Sequence, residues 1–266
     1  MPTDSSSIDL PRYLARIELP DASGTDQKTL RAIHLAHATH IPFENVDVLL
    51  GKPIRLDLPS LYKKLIDERR GGYCFEQNTL LAAALEAMGF EVHRLLARVH
   101  PENGREHPRT HMVLEVVADG RSWMADVGFG AWGLLEPIAL CEGESRQHAW
   151  AYRLRPDGDE WRLAAQQAGR WRDLHTFSRQ PQLPVDFEPA NFYTSAHPES
   201  IFRRMLIVQR TLPERRYMLR DRELIVTTAD SSDRRVLNDD DELLQTLADC
   251  FNLRLEAGPW LPAAAS

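Results

Sequence analysis

The chain is predicted to fold as an α+β protein: helices first, then antiparallel strands, then a mixed lid. Three observations predict this order. Apolar residues recur at helical spacing through residues 1–90. The spacing then switches to short alternating or continuous apolar runs punctuated by Asp-Gly pairs. A last stretch combines strand-like runs with one helix that starts on an acidic cluster. Segregated helices and strands, without strict alternation, mark the α+β class.

In PRYLARIEL, Pro11 sits near the first turn of a short helix, where its missing N–H is not needed. TDQKTLRAIHLAHATH follows, with Thr25 as N-cap and Leu30, Ile33 and His37 near one face. SLYKKLIDERR starts on a Ser60 cap and stops at Gly71-Gly72. CFEQNTLLAAALEAMGF carries Leu81, Ala84, Leu85 and Met88 at helical spacing, with Gly89 just past its end. EVHRLLARVH, HMVLEVVADG and RSWMADVGF are β-type segments, the last two joined at a two-residue turn, Asp119-Gly120. AYRLRPDGDEWRLAA predicts further strands about another Asp-Gly pair, and RQPQLPVDFEPANFYTSAHPES reads as a Pro-rich connector. Beyond it RYMLRDRELIVTT and RRVLN read as two strand runs. DELLQTLADCF reads as a helix whose acidic start offsets its dipole.

Composition narrows function. The chain has 266 residues and a formal charge of −7, with no Lys/Arg block, which argues against nucleic-acid binding. Its start, MPTDSSSIDLPRY, shows no basic and then apolar leader pattern, and no run approaches a membrane span, so the expected compartment is the cytoplasm. Cys74, Cys141 and Cys250 are too few for a disulfide framework. Cys141 and Cys250 read as small buried hydrophobes, Cys250 pointing at a core from its helix.

Cys74 reads differently because of its neighbours, RGGYCFEQN. Gly71-Gly72 would allow a sharp turn and open access to the sulfur, with Cys74 in the first turn of a helix. Unpaired N–H groups and the dipole there favour a thiolate. A partner imidazolium would favour it further, and the Asp119-Gly120 hairpin selects one histidine of ten. If those two residues form the turn, Ala118 pairs with Arg121, and the same register puts His111 opposite Gly128 and Val113 opposite Asp126. His111 and Asp126 then form a diagonal pair on one face, roughly 7–8 Å apart at Cα and closer at their tips. Met112, Leu114, Val116, Trp123, Ala125 and Val127 make the other, core-packing face.

Two patterns carry no site. GFGAWG matches G-x-G-x-x-G, yet Pro137 follows before any long helix, which fails the dinucleotide fingerprint. HLAHATH spaces His34, His37 and His40 three apart, but no carboxylate or cysteine completes a zinc set, so these read as solvated or helix-packing. No metal is expected.

RGGYCFEQN, RTHMVLEV (109–116) and DVGFG (126–130) together resemble the three motifs of the arylamine N-acetyltransferase family. IPFENVDV, with Phe43, Glu44 and Asn45, is similar to that family's N-terminal signature, and NFYTSAHPESIF, ending at Phe202, to its segment before the lid. The resemblance implies a cysteine-protease-like core with an N-terminal helical bundle (1–90) carrying the nucleophile. A central antiparallel β-barrel (91–203) would carry His and Asp, and a C-terminal α/β lid (204–266) would follow. It implies a Cys74–His111–Asp126 triad and ping-pong transfer of an acetyl group from acetyl-CoA to an aromatic amine or hydrazine. Phe43, Phe129 and Phe202 would line the amine pocket, and Thr110, Gly128 and Gly130 would meet the cofactor. The order Cys, His, Asp serves other readings too: a transglutaminase-like cysteine hydrolase, an amide synthase fed by a carrier-bound acyl chain, or a binding module that keeps the motifs by descent. The number of subunits is left open.

Overall fold

Asp9 caps the first helix, α1 (Leu10–Arg16), its carboxylate accepting the Arg12 amide at 3.3 Å with Pro11 inside the first turn. The structure, a computed structural model, describes residues 8–101, 104 and 106–263. Residues 1–7, the head of the stretch searched for a leader, lie outside the described residues. α2 (Gln27–His40) starts one residue later than expected, on Asp26, which accepts the Thr29 amide at 2.7 Å. A carboxylate is the better partner for the positive helix end. β1 (Phe43–Glu44) and α3 (Val46–Leu49) follow.

SLYKKLIDERR does not form one α-helix. α4 (Leu58–Leu61) is capped by Asp57 and runs directly into a π-helical turn, Tyr62–Asp67. Asp57 accepts both the amide and the hydroxyl of Ser60, at 3.1 and 2.8 Å, so Ser60 lies inside the helix it was expected to cap. α5 (Cys74–Met88) is closed by Gly89 in the left-handed region at φ 99°.

Eight strands then build one antiparallel sheet, nearly closed into a barrel: β2 (Glu91–Val99), β3 (His111–Ala118), β4 (Arg121–Ala125), β5 (Ile138–Ala139), β6 (Gly143–Gln147), β7 (Trp150–Asp157), β8 (Glu160–Gln167) and β9 (Arg170–Phe177). Their order is β5-β4-β3-β2-β9-β8-β7-β6. In the β7–β8 hairpin Asp157 pairs with Glu160, so the turn is Gly158-Asp159 rather than Asp-Gly, and Gly158 takes the positive φ of 61°. The connector is not all extended, because α6 (Glu188–Ala196) lies within it with Pro189 in its first turn.

The last segment holds β10 (Ile207–Thr211), β11 (Arg216–Arg220), β12 (Glu223–Thr227), β13 (Ser232–Val236) and α7 (Asp240–Phe251), the helix capped by Asp239. RYMLRDRELIVTT is thus a hairpin turning at Asp221-Arg222, where Asp221 has φ 49° and accepts the Leu206 amide at 2.9 Å. The sheet order is β1-β10-β11-β12-β13, so its outer strand comes from the helical region, with Phe43 paired to Gln209.

The β3–β4 ribbon is buried on both faces. Met112, Leu114, Val116, Trp123, Ala125 and Val127 pack on the helices, while Val113 and Met124 enter the barrel core with Leu95, Leu163 and Phe177. The polar pair therefore sits at the ribbon's open end, not along a free face. Cys141 is exposed and Cys250 is half-buried, against the expectation that both are core residues. Cys141 lies in a loop beyond the two-residue β5, where nothing covers it.

Candidate active site

Cys74 opens α5 because Glu76 holds the turn before it. The Glu76 carboxylate accepts the Tyr73 amide at 3.0 Å, and Lys64 binds its other oxygen at 2.8 Å. Gly71 and Gly72 have ordinary negative or extended backbone, so neither supplies a sharp turn. A Cβ on Gly71 would lie 2.1 Å from the Pro42 carbonyl oxygen, and one on Gly72 would lie 2.7 Å from a Glu76 carboxylate oxygen. The glycines are therefore a packing requirement, which corrects the expectation of access to the sulfur. They let this strand run against Pro42 and Glu44, where Gly72 bridges Phe43.

The hairpin register is the one expected, Ala118 on Arg121 through Leu114 on Ala125. Past Ala125 the ladder ends and Asp126 turns its carboxylate toward His111, whose Nε2 donates to Oδ2 at 2.7 Å. The other oxygen of Asp126 accepts from Asn78 Nδ2 and from the Gly128 amide, both at 2.9 Å. Asn78 lies one turn along α5 from Cys74 and also clasps the ribbon, donating to the Met112 carbonyl at 2.7 Å and accepting the Val127 amide at 3.0 Å. That clasp docks the His–Asp end of the ribbon onto the cysteine helix. Gly128 makes the fit possible, since a Cβ there would be 2.6 Å from the Cys74 Cα.

The Cys74 thiol points at the Thr110 carbonyl, 3.7 Å away, and Cys74 is close enough to His111 to help raise the pKa of the imidazole. Burial alone would lower the His111 pKa. The Asp126 charge, its hydrogen bond and the neighbouring Cys74 overcome this and carry it to about 10, so the ring is an imidazolium at neutral pH. Burial would likewise raise Asp126, but the His111 charge and hydrogen bond hold it below the usual carboxylate range. All three side chains are buried, the Cys74 residue 6% exposed. A sulfur nucleophile beside a braced imidazolium is an arrangement for acyl transfer.

Two further histidines converge on Asp126. His34 accepts the Asp126 amide at 3.0 Å through Nε2 and donates Nδ1–H to the Leu135 carbonyl at 3.0 Å; burial lowers its pKa to about 4. His175 on β9 is fully buried with Nε2 3.6 Å from Asp126 Oδ2, and neither ring nitrogen has a hydrogen-bond partner among the described residues. Burial and the His111 charge lower it to about 3. His34 packs its helix, as one of its two expected roles had it, and also braces the site. His175, in WRDLHTF, has no motif or turn beside it to single it out. The His111, Asp126 and His175 ligand atoms lie within 4.8 Å of one another. A metal bound there would displace the His111–Asp126 bond. His37 and His40 turn elsewhere, to Tyr13 and to the Ala36 carbonyl.

Phe129 places its ring 5.2 Å from His111 and 5.3 Å from His175. Phe43 and Phe202 meet each other at 5.8 Å, with Tyr73 6.1 Å from Phe202. Thr110 presents its carbonyl, not its hydroxyl, to the sulfur, the hydroxyl donating to the Pro108 carbonyl at 3.4 Å. Gly130 has φ 84°, and a Cβ on it would lie 1.8 Å from Gln209 Oε1, which also accepts the Ala131 amide at 2.9 Å.

A profile of the N-acetyltransferases matches residues 26–259. The arylamine N-acetyltransferase of Mycolicibacterium smegmatis is 41% identical over 257 residues, spanning 94% of this chain and 93% of its own. Among solved structures, the Nocardia farcinica arylamine N-acetyltransferase superposes with a TM-score of 0.89 at 37% identity, covering 98% of this chain and 99% of that one. The Mycobacterium marinum enzyme in complex with CoA superposes at 0.86 and 34% identity, covering 92% of each chain. These likenesses extend over the whole α+β architecture.

Proposed function

The chain belongs to the arylamine N-acetyltransferase family, and we infer that it carries an acetyl group from acetyl-CoA, by way of Cys74, to the nitrogen of an aromatic amine or hydrazine. The observation that carries the reading is the buried chain Cys74–His111–Asp126, with its 2.7 Å bond between imidazole and carboxylate.

The imidazolium of His111 stabilises the Cys74 thiolate. The thiolate attacks the thioester carbonyl. The carbonyl re-forms, CoA leaves as a thiolate and takes the His111 proton, and acetyl-Cys74 remains. The amine then attacks that thioester, gives its proton to neutral His111 and expels the Cys74 thiolate, restoring the ion pair. Asp126 keeps Nε2 protonated and the ring in plane throughout.

We place the arriving thioester at Thr110, which is half-exposed beside the sulfur. Gly128 and Gly130 serve it by holding the 126–130 loop against α5 and β10. Phe129 forms the wall for the amine ring nearest the imidazole, with Phe43 and Phe202 farther along. Apolar walls also limit water, the nucleophile that would waste the acetyl-enzyme. The cytoplasm is the compartment this chemistry suits; three free cysteines support it, and no helix among the described residues is long and apolar enough to cross a membrane.

Incubation with acetyl-CoA alone should leave one acetyl group on Cys74, located by peptide mass spectrometry. Cys74→Ala should keep the fold by circular dichroism and lose transfer entirely. Transfer persisting in that variant, or acetyl-CoA consumed with no adduct formed on any time scale, would instead support hydrolysis or another nucleophile.

A further inference from the structure

A crevice of about 140 Å³ lies between the barrel and the last sheet, and Cys74 does not line it. Its walls include Trp132, Arg146, Trp150, Gln166, Arg216 and Thr227. None of the described residues lining it is acidic, in a chain whose formal charge is −7.

Arg216 is the group that needs explaining. It is 3% exposed, with its guanidinium carbon 3.8 Å from the Trp150 ring centre and 4.6 Å from that of Trp132. Nη2 donates to the Tyr152 hydroxyl at 2.9 Å, while Nε and Nη1 find no acceptor among the described residues. A guanidinium keeps its proton at any ordinary pH, so burial leaves a full charge and the three N–H groups of Nε and Nη1 unanswered. Aromatic faces offset part of that cost through the ring quadrupole, but they do not satisfy in-plane N–H groups. Arg172 lies over Trp132 as well, at 5.3 Å, adding positive potential to the same corner.

We propose that this crevice binds a small phosphate- or sulfate-type oxyanion, held by Arg216 between Trp132 and Trp150. A tetrahedral anion presents oxygens in divergent directions, which suits donors on different edges of the guanidinium and the neutral side chains of Gln166 and Thr227 on the walls. The volume admits one such ion with a few waters, at about 30 Å³ of liquid per water, and excludes a whole nucleotide. The anion is either a free ion or the terminal phosphate of a larger ligand whose body lies outside. The site also touches the catalytic loop. Trp132 follows Phe129 by three residues, and Tyr152, bound to Arg216, donates its hydroxyl to the Gly133 carbonyl. The inference stands whether or not the chain transfers acetyl groups.

The test is a titration of the full chain with sodium phosphate and with sodium sulfate, ionic strength held constant with sodium chloride, reading tryptophan fluorescence and melting temperature. A saturable fluorescence change with a midpoint on the order of 1 mM or below, and a melting temperature that climbs with the logarithm of anion concentration, are expected. Arg216→Gln should lose both. If that variant does not fold, Gln166→Glu decides, because it leaves Arg216 in place and puts a carboxylate on the wall. Repeating the phosphate titration with saturating CoA separates the sources: a raised midpoint means that a CoA phosphate takes the crevice, and an unchanged one means a free ion. No response beyond that of chloride, or an undiminished response in the folded variants, overturns the proposal.

Discussion

Two buried charge clusters flank the first turn of α5, and they are built on opposite plans. On one side Lys64 lies 2.8 Å from Glu76 and 3.0 Å from Asp47, while Arg70 lies 2.6 Å from Glu44. Every charge there has its counter-charge; despite burial, the Lys64 and Arg70 charges bring Asp47 down to about 2. On the other side one carboxylate, Asp126, faces two imidazoles, and one of those, His175, has no hydrogen-bond partner for either nitrogen among the described residues. A closed network can only hold a loop in place. An open one can exchange a proton without coming apart.

The largest break in this comparison should come from Asp126→Asn, which keeps the shape and removes the charge. Transfer is expected to fall by about 10²–10⁴-fold, the range in which general acid–base and triad carboxylate losses lie, with the far-ultraviolet spectrum unchanged. A variant keeping a tenth of the activity would put the proton chemistry elsewhere. Glu76→Gln attacks the closed side. It should cost about 3–5 kcal/mol in urea unfolding, because Lys64 loses its nearest partner inside the protein, while activity per folded molecule stays within about threefold. Activity falling in step with an Asp126 change would show that both clusters share the chemistry.

Gly71→Ala should be milder, about 1–3 kcal/mol of overpacking against the Pro42 carbonyl, read in the same unfolding assay. No loss of stability would mean that the backbone there moves aside freely. The smallest effect is per residue and depends on pH. His34, His37 and His175 are buried neutral with pKa values lowered to about 4, 3 and 3, against about 6.5 when unfolded. The unfolded chain therefore binds more protons in acid, and stability falls as pH drops below about 6.5, by on the order of 1–2 kcal/mol per imidazole at pH 5. His111 has the opposite sign: its raised pKa contributes stability in full below about 6.5, and that share is lost as pH rises through about 10. Urea unfolding from pH 5 to 9, with His37→Phe flattening only the acid arm, would sharpen the contrast between neutral and charged imidazoles.

Much of this centre is legible in the sequence because a two-residue turn fixes register arithmetically. Asp119-Gly120 alone sets which residues of β3 and β4 face each other, and hence that His111 and Asp126 are neighbours. Asn78 sat inside the motif around Cys74, but nothing in a helix sequence says that one amide will clasp three groups of a distant ribbon. His175 was invisible for a related reason, since β9 reaches Asp126 only when the barrel curls around, a property of eight strands and not of WRDLHTF. The glycines misled because absence of a side chain has two uses, room for a ligand and room for backbone, and only the neighbours distinguish them. Ser60 and Thr25 failed as caps to an aspartate close by, the stronger acceptor in each case.

The two-residue strand Phe43–Glu44 has a consequence for how the molecule is made. Its partner, Gln209 in β10, is separated from it by well over half of the polypeptide. On a ribosome the N-terminal helices emerge with Phe43–Glu44 unpaired. That strand meets its ladder only when most of the chain has left the exit tunnel. Nascent chains halted before residue 207 would therefore hold Cys74 and its helix without this sheet, and the fold would close late in synthesis.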